Sequence, residues 1–203
     1  MYTQPVTESP LIPTTVPPTI TPVTPTPTNI TIIPSDLTKD PYSTKAINVT
    51  NGLCYKYKGS QFIIQGLTNL SSIVIGDNCF RNVRWFELNG LKELEALSIG
   101  KDCFRMAKSE RSDGSFQIAN CPNLTTVVLS EYSFYDYHVF ELNNLTSLQS
   151  IIVNMRCFVF TPSFSLTSIT IVRLLFTDLP QLQSVRIGFS AFLFSHFVQF
   201  KSI

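Results

Sequence analysis

One line of this sequence is written nearly twice, and the repetition constrains the fold more than any other feature. Residues 86–104 read FELNGLKELEALSIGKDCF, and residues 140–158 read FELNNLTSLQSIIVNMRCF. The positions that are alike in the two copies are mostly Phe, Leu, Ile and Val at fixed spacings. None of these apolar side chains has a reactive or metal-binding group. The repetition therefore indicates that each copy solves the same packing problem.

The repeat has two parts, each of which recurs along the chain. The pattern L-x-x-Φ-x-Φ-x-x-x-x-F, in which Φ is apolar, begins at Leu70, Leu94, Leu124, Leu148 and Leu182 and ends at Phe80, Phe104, Phe134, Phe158 and Phe192. Most copies are preceded by an apolar pair at positions i and i+2: Phe62/Ile64, Phe86/Leu88, Phe116/Ile118, Phe140/Leu142 and Phe164/Leu166. We call one such repeat a coil, and the last Phe of each pattern its rung phenylalanine.

The Φ-x-Φ segment predicts a short strand with one face turned inward. A single coil cannot bury that face, so we expect the coils to stack with Ile75, Ile99, Leu129 and Val153 in one column of parallel strands. The apolar pairs predict a second strand on the opposite wall. The predicted fold is thus a mainly β solenoid of about five to six coils over residues 44–203. Because no polar cap follows the last coil, we expect a truncated chain.

These repeats resemble leucine-rich repeats, whose signature is LxxLxLxxN/CxL. The spacing of about 24 residues, the rung Phe and the small residue before it are most similar to the BspA-like subclass of surface proteins. The resemblance implies a cell-surface or secreted protein with an adhesive role. The signature's asparagine position holds Asn78, Asp102, Tyr132, Arg156 and Ser190, so a regular asparagine ladder is not expected there.

Residues 1–40 have a different composition. Nine of the thirteen prolines lie in residues 1–35, among many threonines. Proline fixes φ and removes backbone donors, so this segment is predicted to be a disordered, extended stalk or linker. Composition of this kind is typical of O-glycosylated stalks, and an unmodified tail is the alternative.

Charge and motif content exclude several classes of function. The formal net charge is +1, which gives no reason to expect nucleic acid as a partner. No apolar run is long enough to cross a bilayer, so we expect no membrane insertion by this segment. No acid–base pair, nucleophile elbow or phosphate loop is found, and neither histidine belongs to a cluster with metal-ligand spacing. We therefore predict no enzymatic activity and no cofactor.

Two surfaces are candidates for binding. The first is formed by turns near the rung phenylalanines, whose aromatic and basic side chains are types that dominate interface hot spots. Its members are Arg81, Arg84, Trp85, Tyr132, Tyr135, Tyr137 and His138. The second is the outward face of the Φ-x-Φ strands, either a docking patch or an ordinary β face. Its members are Ser72, Val74, Ser98, Thr126, Val128, Ile152 and Arg186.

The cysteines and the sequons each leave two interpretations open. Cys79, Cys103 and Cys157 directly precede rung phenylalanines, and Cys54 fits the same slot, so they form a buried column of small residues or disulfides between neighbouring coils. The N-x-S/T sequons are glycosylation sites or a by-product of the repeat. They are Asn29, Asn48, Asn69, Asn123 and Asn144.

The sequence is best interpreted as a non-catalytic leucine-rich-repeat interaction module that binds a protein or a glycan at a cell surface. The alternatives are a cytosolic scaffold or signalling adaptor on the same fold, and a structural coat component without a specific ligand. The start of the sequence has no signal-peptide pattern, which favours the cytoplasmic alternative. The resemblance and the stalk-like composition favour the cell surface or the outside of the cell, which is the expected compartment.

Overall fold

The computed structural model describes residues 44–106, 114–159, 172–193 and 195–201. The Pro/Thr-rich segment of residues 1–40, the sequon at Asn29 and the pair Phe164/Leu166 lie outside these ranges. Within them the chain forms twelve short β-strands and no helix. The predicted mainly β fold with short parallel strands is confirmed.

The strands form two parallel sheets of six, and consecutive strands alternate between them. Sheet A contains β1 (Ala46–Val49), β3 (Ser72–Ile75), β5 (Ala96–Ile99), β7 (Thr126–Leu129), β9 (Ser150–Val153) and β11 (Ser184–Ile187). Sheet B contains β2 (Gln61–Gln65), β4 (Trp85–Asn89), β6 (Gly114–Ala119), β8 (Tyr137–Asn143), β10 (Val172–Thr177) and β12 (Ser195–Lys201). Each coil therefore gives one strand to each wall, an arrangement consistent with a solenoid-like repeat fold.

Sheet A has the predicted register. Ile75 is paired with Ile99, Ile99 with Leu129, and Leu129 with Val153. Every second residue of these strands is buried, as a period-two strand with one inward face requires. The leucines that begin the patterns at 70, 94, 124 and 148 are all fully buried. The column predicted from the repeat is confirmed.

Phenylalanine rings fill the space between the two sheets in two stacked columns. The rung phenylalanines stack on one another, as Phe104 does on Phe134 with ring centroids 4.8 Å apart. The phenylalanines of sheet B stack likewise, as Phe86 does on Phe116 at 4.8 Å. The two columns meet edge to face, with Phe86 and Phe104 at 5.2 Å and 85°. Stacking within a column and edge contacts between columns are both favourable ring geometries, so each coil stabilises the next.

The sheet-B strand of the fifth coil differs from the prediction. The sequence suggested Phe164/Leu166 as its apolar pair, but the buried pair that follows Phe140 and Leu142 in sheet B is Leu174 and Phe176. Leu174 stands eight residues before Leu182, the same distance that separates the two parts of the earlier coils. The sequence signal was weak here because Leu174 replaces the usual Phe.

The last strands of both sheets leave apolar side chains in contact with solvent. Ile187 of β11 and Phe200 of β12 point along the same inward columns as their neighbours, yet both are exposed. Phe189, in the turn after β11, is 75% exposed. This face of the structure resembles the interior of a coil more than it resembles an ordinary surface.

Candidate binding surface

The turn after each of β3, β5, β7, β9 and β11 is built on two residues with left-handed backbone conformation. In the second coil these are Asp102 and Phe104, with φ of 55° and 53°. Positive φ is unfavourable for a bulky residue, so this geometry needs compensation. The Phe104 N–H donates to the carbonyl of Cys79 in the preceding coil at 3.1 Å, and its ring lies in the stacked column. The five residues at the signature's asparagine position all have this left-handed conformation, which fixes where the turn's side chains point.

Arginine–tyrosine pairs link neighbouring coils along this turn edge, and we call them the Arg–Tyr row. The guanidinium of Arg81 lies 4.7 Å from the centre of the Tyr55 ring, and its Nη1 donates to the tyrosine hydroxyl at 3.3 Å. The other two pairs are Arg105 with Tyr135 at 4.9 Å and Arg156 with Tyr132 at 5.6 Å. Each cation–π contact at a partly exposed site contributes about 0.5–1 kcal/mol and fixes two long side chains in place.

The Arg–Tyr row contains three of the residues predicted for the first candidate surface: Arg81, Tyr132 and Tyr135. The sequence analysis missed their partners Tyr55, Arg105 and Arg156. The signal that could have found them is positional, because each pair joins equivalent turns of adjacent coils. Arg105 also forms an ion pair with Asp102, with 3.3 Å between Nη1 and Oδ1.

Tyr137 and His138 do not belong to the binding surface, contrary to the prediction. They are the first two residues of β8, and both are buried. The register shifts by one residue between Gly114 and Ser115, opposite this point, which turns the Tyr137 ring inward. The ring packs edge-on against the rung Phe134 with centroids 5.1 Å apart.

Arg84 and Trp85 lie at the start of β4 and belong to none of the three Arg–Tyr pairs. The backbone N–H groups of both residues donate to the carbonyl of Ser60, at 2.7 and 3.1 Å. Trp85 is 39% exposed on the outer face of sheet B. The predicted first surface is therefore divided between a turn edge and a sheet face.

The outward face of sheet A carries the second predicted surface. Its residues align in two columns across the strands. One column runs Ser72, Ala96, Thr126, Ser150 and Ser184, and the other runs Val74, Ser98, Val128, Ile152 and Arg186. Only Arg186 among them is charged. The other side chains on this face are small or medium-sized, and several are apolar.

A cavity of about 460 Å³ lies next to the Arg–Tyr row at the first coil. It is lined by Tyr55, Lys56, Tyr57, Lys58, Ser60, Asn82 and Arg84. Only Arg84 among these was a predicted site residue. The others lie mainly in the turn between β1 and β2, whose sequence departs from the repeat because Tyr55 stands in place of a rung phenylalanine.

The opposite turn edge, after each sheet-B strand, carries three of the sequons. Asn69, Asn123 and Asn144 are exposed there, and Asn48 is exposed on β1. The Asn144 amide donates to the side-chain oxygen of Asn120 at 2.8 Å, and the Asn120 amide donates to that of Asn89 at 3.0 Å. A short asparagine ladder therefore exists, in a different turn from the one where the repeat signature places it.

The cysteines are free and buried in the part of the chain that the structure describes. The Cys103 thiol donates to the Gly76 carbonyl at 3.0 Å, and Ser133 occupies the same slot and donates to Gly100 at 2.6 Å. The slot thus selects a small side chain, since Ala191 fills it before Phe192. Burial raises the pKa of Cys103 and of Cys157 to about 12, and that of Cys121 to about 11. These thiols are protonated near neutral pH, the reverse of what a nucleophile needs.

No helix long and apolar enough to cross a membrane occurs in residues 44–106, 114–159, 172–193 and 195–201. Across the same ranges, no three His, Cys, Asp or Glu side chains are grouped so that they could hold a metal ion.

No family model, no curated protein and no solved structure matches this chain.

Proposed function

We propose that this chain is a non-catalytic interaction module of the leucine-rich-repeat type, similar to the BspA-like surface proteins, which binds a protein or a glycan at a cell surface. The observation that carries the proposal is the Arg–Tyr row. Arginine and tyrosine are enriched among residues that dominate binding energy, and here they are held in fixed positions on successive coils. A rigid, repeated edge of this kind offers one extended contact surface.

The repeat itself supports the leucine-rich-repeat interpretation. Each coil contributes one leucine to a common column, together with one Φ-x-Φ strand and one rung phenylalanine, and these residues form a shared core. Repeat proteins of this kind commonly bind partners along an extended surface. A binding role without catalysis fits a molecule whose thiols are protonated and packed in its interior.

Two features favour the cell surface. Exposed sequons at Asn69, Asn123 and Asn144 lie along one edge, opposite the Arg–Tyr row, so glycans there would leave the row accessible. The Thr/Pro-rich segment of residues 1–40 has the composition of a stalk that would hold the module away from a surface.

Saturable binding of the purified protein to intact cells tests this function. We expect Arg105→Ala and Arg156→Ala to weaken binding about tenfold each, the loss typical of interface anchors. Arg186→Ala, on the outward face of sheet A, is the matched control and should leave binding unchanged. If only Arg186→Ala weakens binding, sheet A is the contact surface, and if the wild type shows no saturable binding, the adhesive role is wrong.

A cytosolic scaffold or adaptor is the second candidate, and the free thiols favour it, because disulfides are rare in reducing compartments. Glycosidase treatment of the protein from its native source separates the two. A shift in gel mobility supports the surface protein, and an unshifted band supports the cytosolic adaptor.

A structural coat component is the third candidate, favoured by the exposed apolar side chains of β11 and β12. Such a face can drive self-association. Sedimentation without any partner would show assemblies that grow with protein concentration if the coat role is correct, and a monodisperse species if it is not.

A further inference from the structure

The cavity beside the first coil concentrates positive charge. Lys56, Lys58 and Arg84 line it, and no acidic side chain is among the described residues that do so. The chain as a whole has a formal net charge of only +1, so this grouping is local and not a consequence of a basic protein. Three cations around one concave site favour an anionic ligand.

Two tyrosines give the cavity aromatic walls whose positions are fixed. Tyr57 packs edge-on against Phe80 with ring centroids 5.5 Å apart, and its hydroxyl donates to the Gln61 carbonyl at 3.3 Å. Tyr55 is exposed but held by the Arg81 guanidinium over its ring. Fixed aromatic rings with a polar rim suit a ligand that has both an apolar face and hydroxyl groups.

The remaining walls supply hydrogen-bonding groups that can match hydroxyls. Ser60 is exposed and carries a hydroxyl, while its carbonyl accepts hydrogen bonds from the N–H groups of Arg84 and Trp85. Asn82 offers an amide oxygen and an amide nitrogen, and its backbone N–H is bonded to the Arg105 carbonyl at 3.3 Å in the next coil. The polar groups are therefore presented from backbone that is anchored to the repeat.

We propose that this cavity binds an acidic saccharide, with Lys56, Lys58 and Arg84 facing its carboxylate or sulfate groups and Tyr55 and Tyr57 facing its ring. The inference rests on the binding role proposed above and names the class of ligand. A volume of about 460 Å³ is in the usual range for small-ligand sites and exceeds what a lone inorganic anion needs. Nucleic acid is disfavoured, because affinity for it comes from many phosphate contacts along an extended basic surface.

Calorimetric titration of the purified protein with a sulfated uronic-acid disaccharide tests the inference. We expect measurable binding at low salt, and Lys56→Glu and Lys58→Glu should each weaken it about tenfold or more. Both lysines are exposed, so these variants should fold normally. Lys92→Glu reverses an exposed lysine on the opposite turn edge and is the matched control, with affinity unchanged.

Tyrosine variants and other ligands separate a saccharide site from a simple anion site. Tyr55→Ala should weaken disaccharide binding, and Tyr55→Phe should retain most of it. Lactose, which is neutral, should bind far more weakly. Inorganic sulfate binding as tightly as the disaccharide, lactose binding equally well, or a single-stranded oligonucleotide competing more strongly would each overturn the proposal.

The two proposals fail in different ways. If cells bind saturably while the disaccharide does not bind at all, the acidic-saccharide inference is wrong and the adhesive function stands. If the disaccharide binds in the cavity while cells do not, the inference stands and the adhesive function is wrong.

Discussion

The hydroxyl of Tyr137 donates a hydrogen bond of 2.5 Å to the backbone carbonyl of Val83, 54 positions earlier in the chain. Both residues are fully buried, so the bond crosses the core where no water can replace it. Burial also raises the pKa of the Tyr137 phenol well above its usual range, which keeps the donor protonated at every ordinary pH. The bond links the start of β8, at Tyr137, to Val83, which lies just before β4, through the interior of the solenoid.

Tyr137→Phe should destabilise the protein by about 1–3 kcal/mol, because the Val83 carbonyl is left buried without this donor. Urea unfolding measures the change. Tyr132→Phe is the matched control, since that hydroxyl is partly exposed and accepts only a long bond from Arg156 at 3.4 Å. Equal effects of the two variants would show that the Tyr137 bond has no special role.

Phe104→Ala should cost about 3–5 kcal/mol, as removal of a buried ring from a close-packed core does. Phe104 stacks on Phe80 and Phe134 and meets Phe62 and Phe86 edge to face. Phe189→Ala removes the same atoms from an exposed turn and should change the free energy of unfolding by less than about 0.5 kcal/mol. A loss below about 1 kcal/mol for Phe104→Ala would contradict the stacked core.

Asn120 combines a left-handed backbone, φ 55°, with the central position in the asparagine ladder. Asn120→Ala should cost about 1 kcal/mol more than Asn120→Gly, because glycine tolerates positive φ and alanine does not. Gly66 and Gly90 occupy the equivalent turns of earlier coils, with φ of 75° and 69°. If the alanine variant unfolds at the same urea concentration as the glycine variant, the backbone conformation is not what this position selects.

Buried thiols should make stability fall at alkaline pH. Burial is the largest cause that raises the pKa of Cys103 from 9.0 to about 12, and the nearby carboxylates of Asp77 and Asp102 add to it. The backbone N–H of Cys79, which donates to the Cys103 sulfur, opposes the rise. A thiol whose folded-state pKa lies above its unfolded value contributes stability that is complete below the unfolded pKa and is lost as pH rises toward the folded one. We therefore expect unfolding free energy to decline between about pH 9 and pH 12.

Cys103→Ser, which Ser133 shows the slot can accept, should make that decline shallower. At pH 8 the native thiols should react with a thiol reagent far more slowly than those of the urea-unfolded chain. Rapid labelling of the native protein would place the cysteines at the surface instead.

The strands and the core could be predicted from the sequence because the inward-facing apolar residues recur at the same spacings in each coil. Ile99 and Leu129 align because each follows a pattern leucine by the same number of residues. The burial of Tyr137 could not be predicted this way, because it depends on a register shift opposite Gly114 that departs from the repeat spacing. An aromatic residue in a turn and one at a strand start look alike in a single sequence.

The asparagine ladder was missed for a different reason. The leucine-rich-repeat signature places its asparagine in the turn after the sheet-A strand. The ladder forms in the turn after the sheet-B strand, where Asn120 and Asn144 stand in place of Gly66 and Gly90. Alternation of Gly and Asn at one repeat position is itself a signal of positive φ. The cavity had no such signal, because Lys56 and Lys58 belong to the turn between β1 and β2, whose sequence departs from the repeat.

The central claim is that successive coils lie in register with their sheet-A strands side by side. Asn48 and Arg186 are exposed and stand at equivalent positions of the first and last strands of sheet A, five strand spacings apart. Spin labels at these positions, measured by double electron–electron resonance, should give one narrow distance near 24 Å for the backbone separation, or about 4.8 Å for each strand crossed. Moving the first label from Asn48 to Val74 should shorten the distance by one such step. A broad distribution, or a distance that does not change with the number of strands crossed, would contradict the stacked arrangement on which the proposed binding surfaces depend.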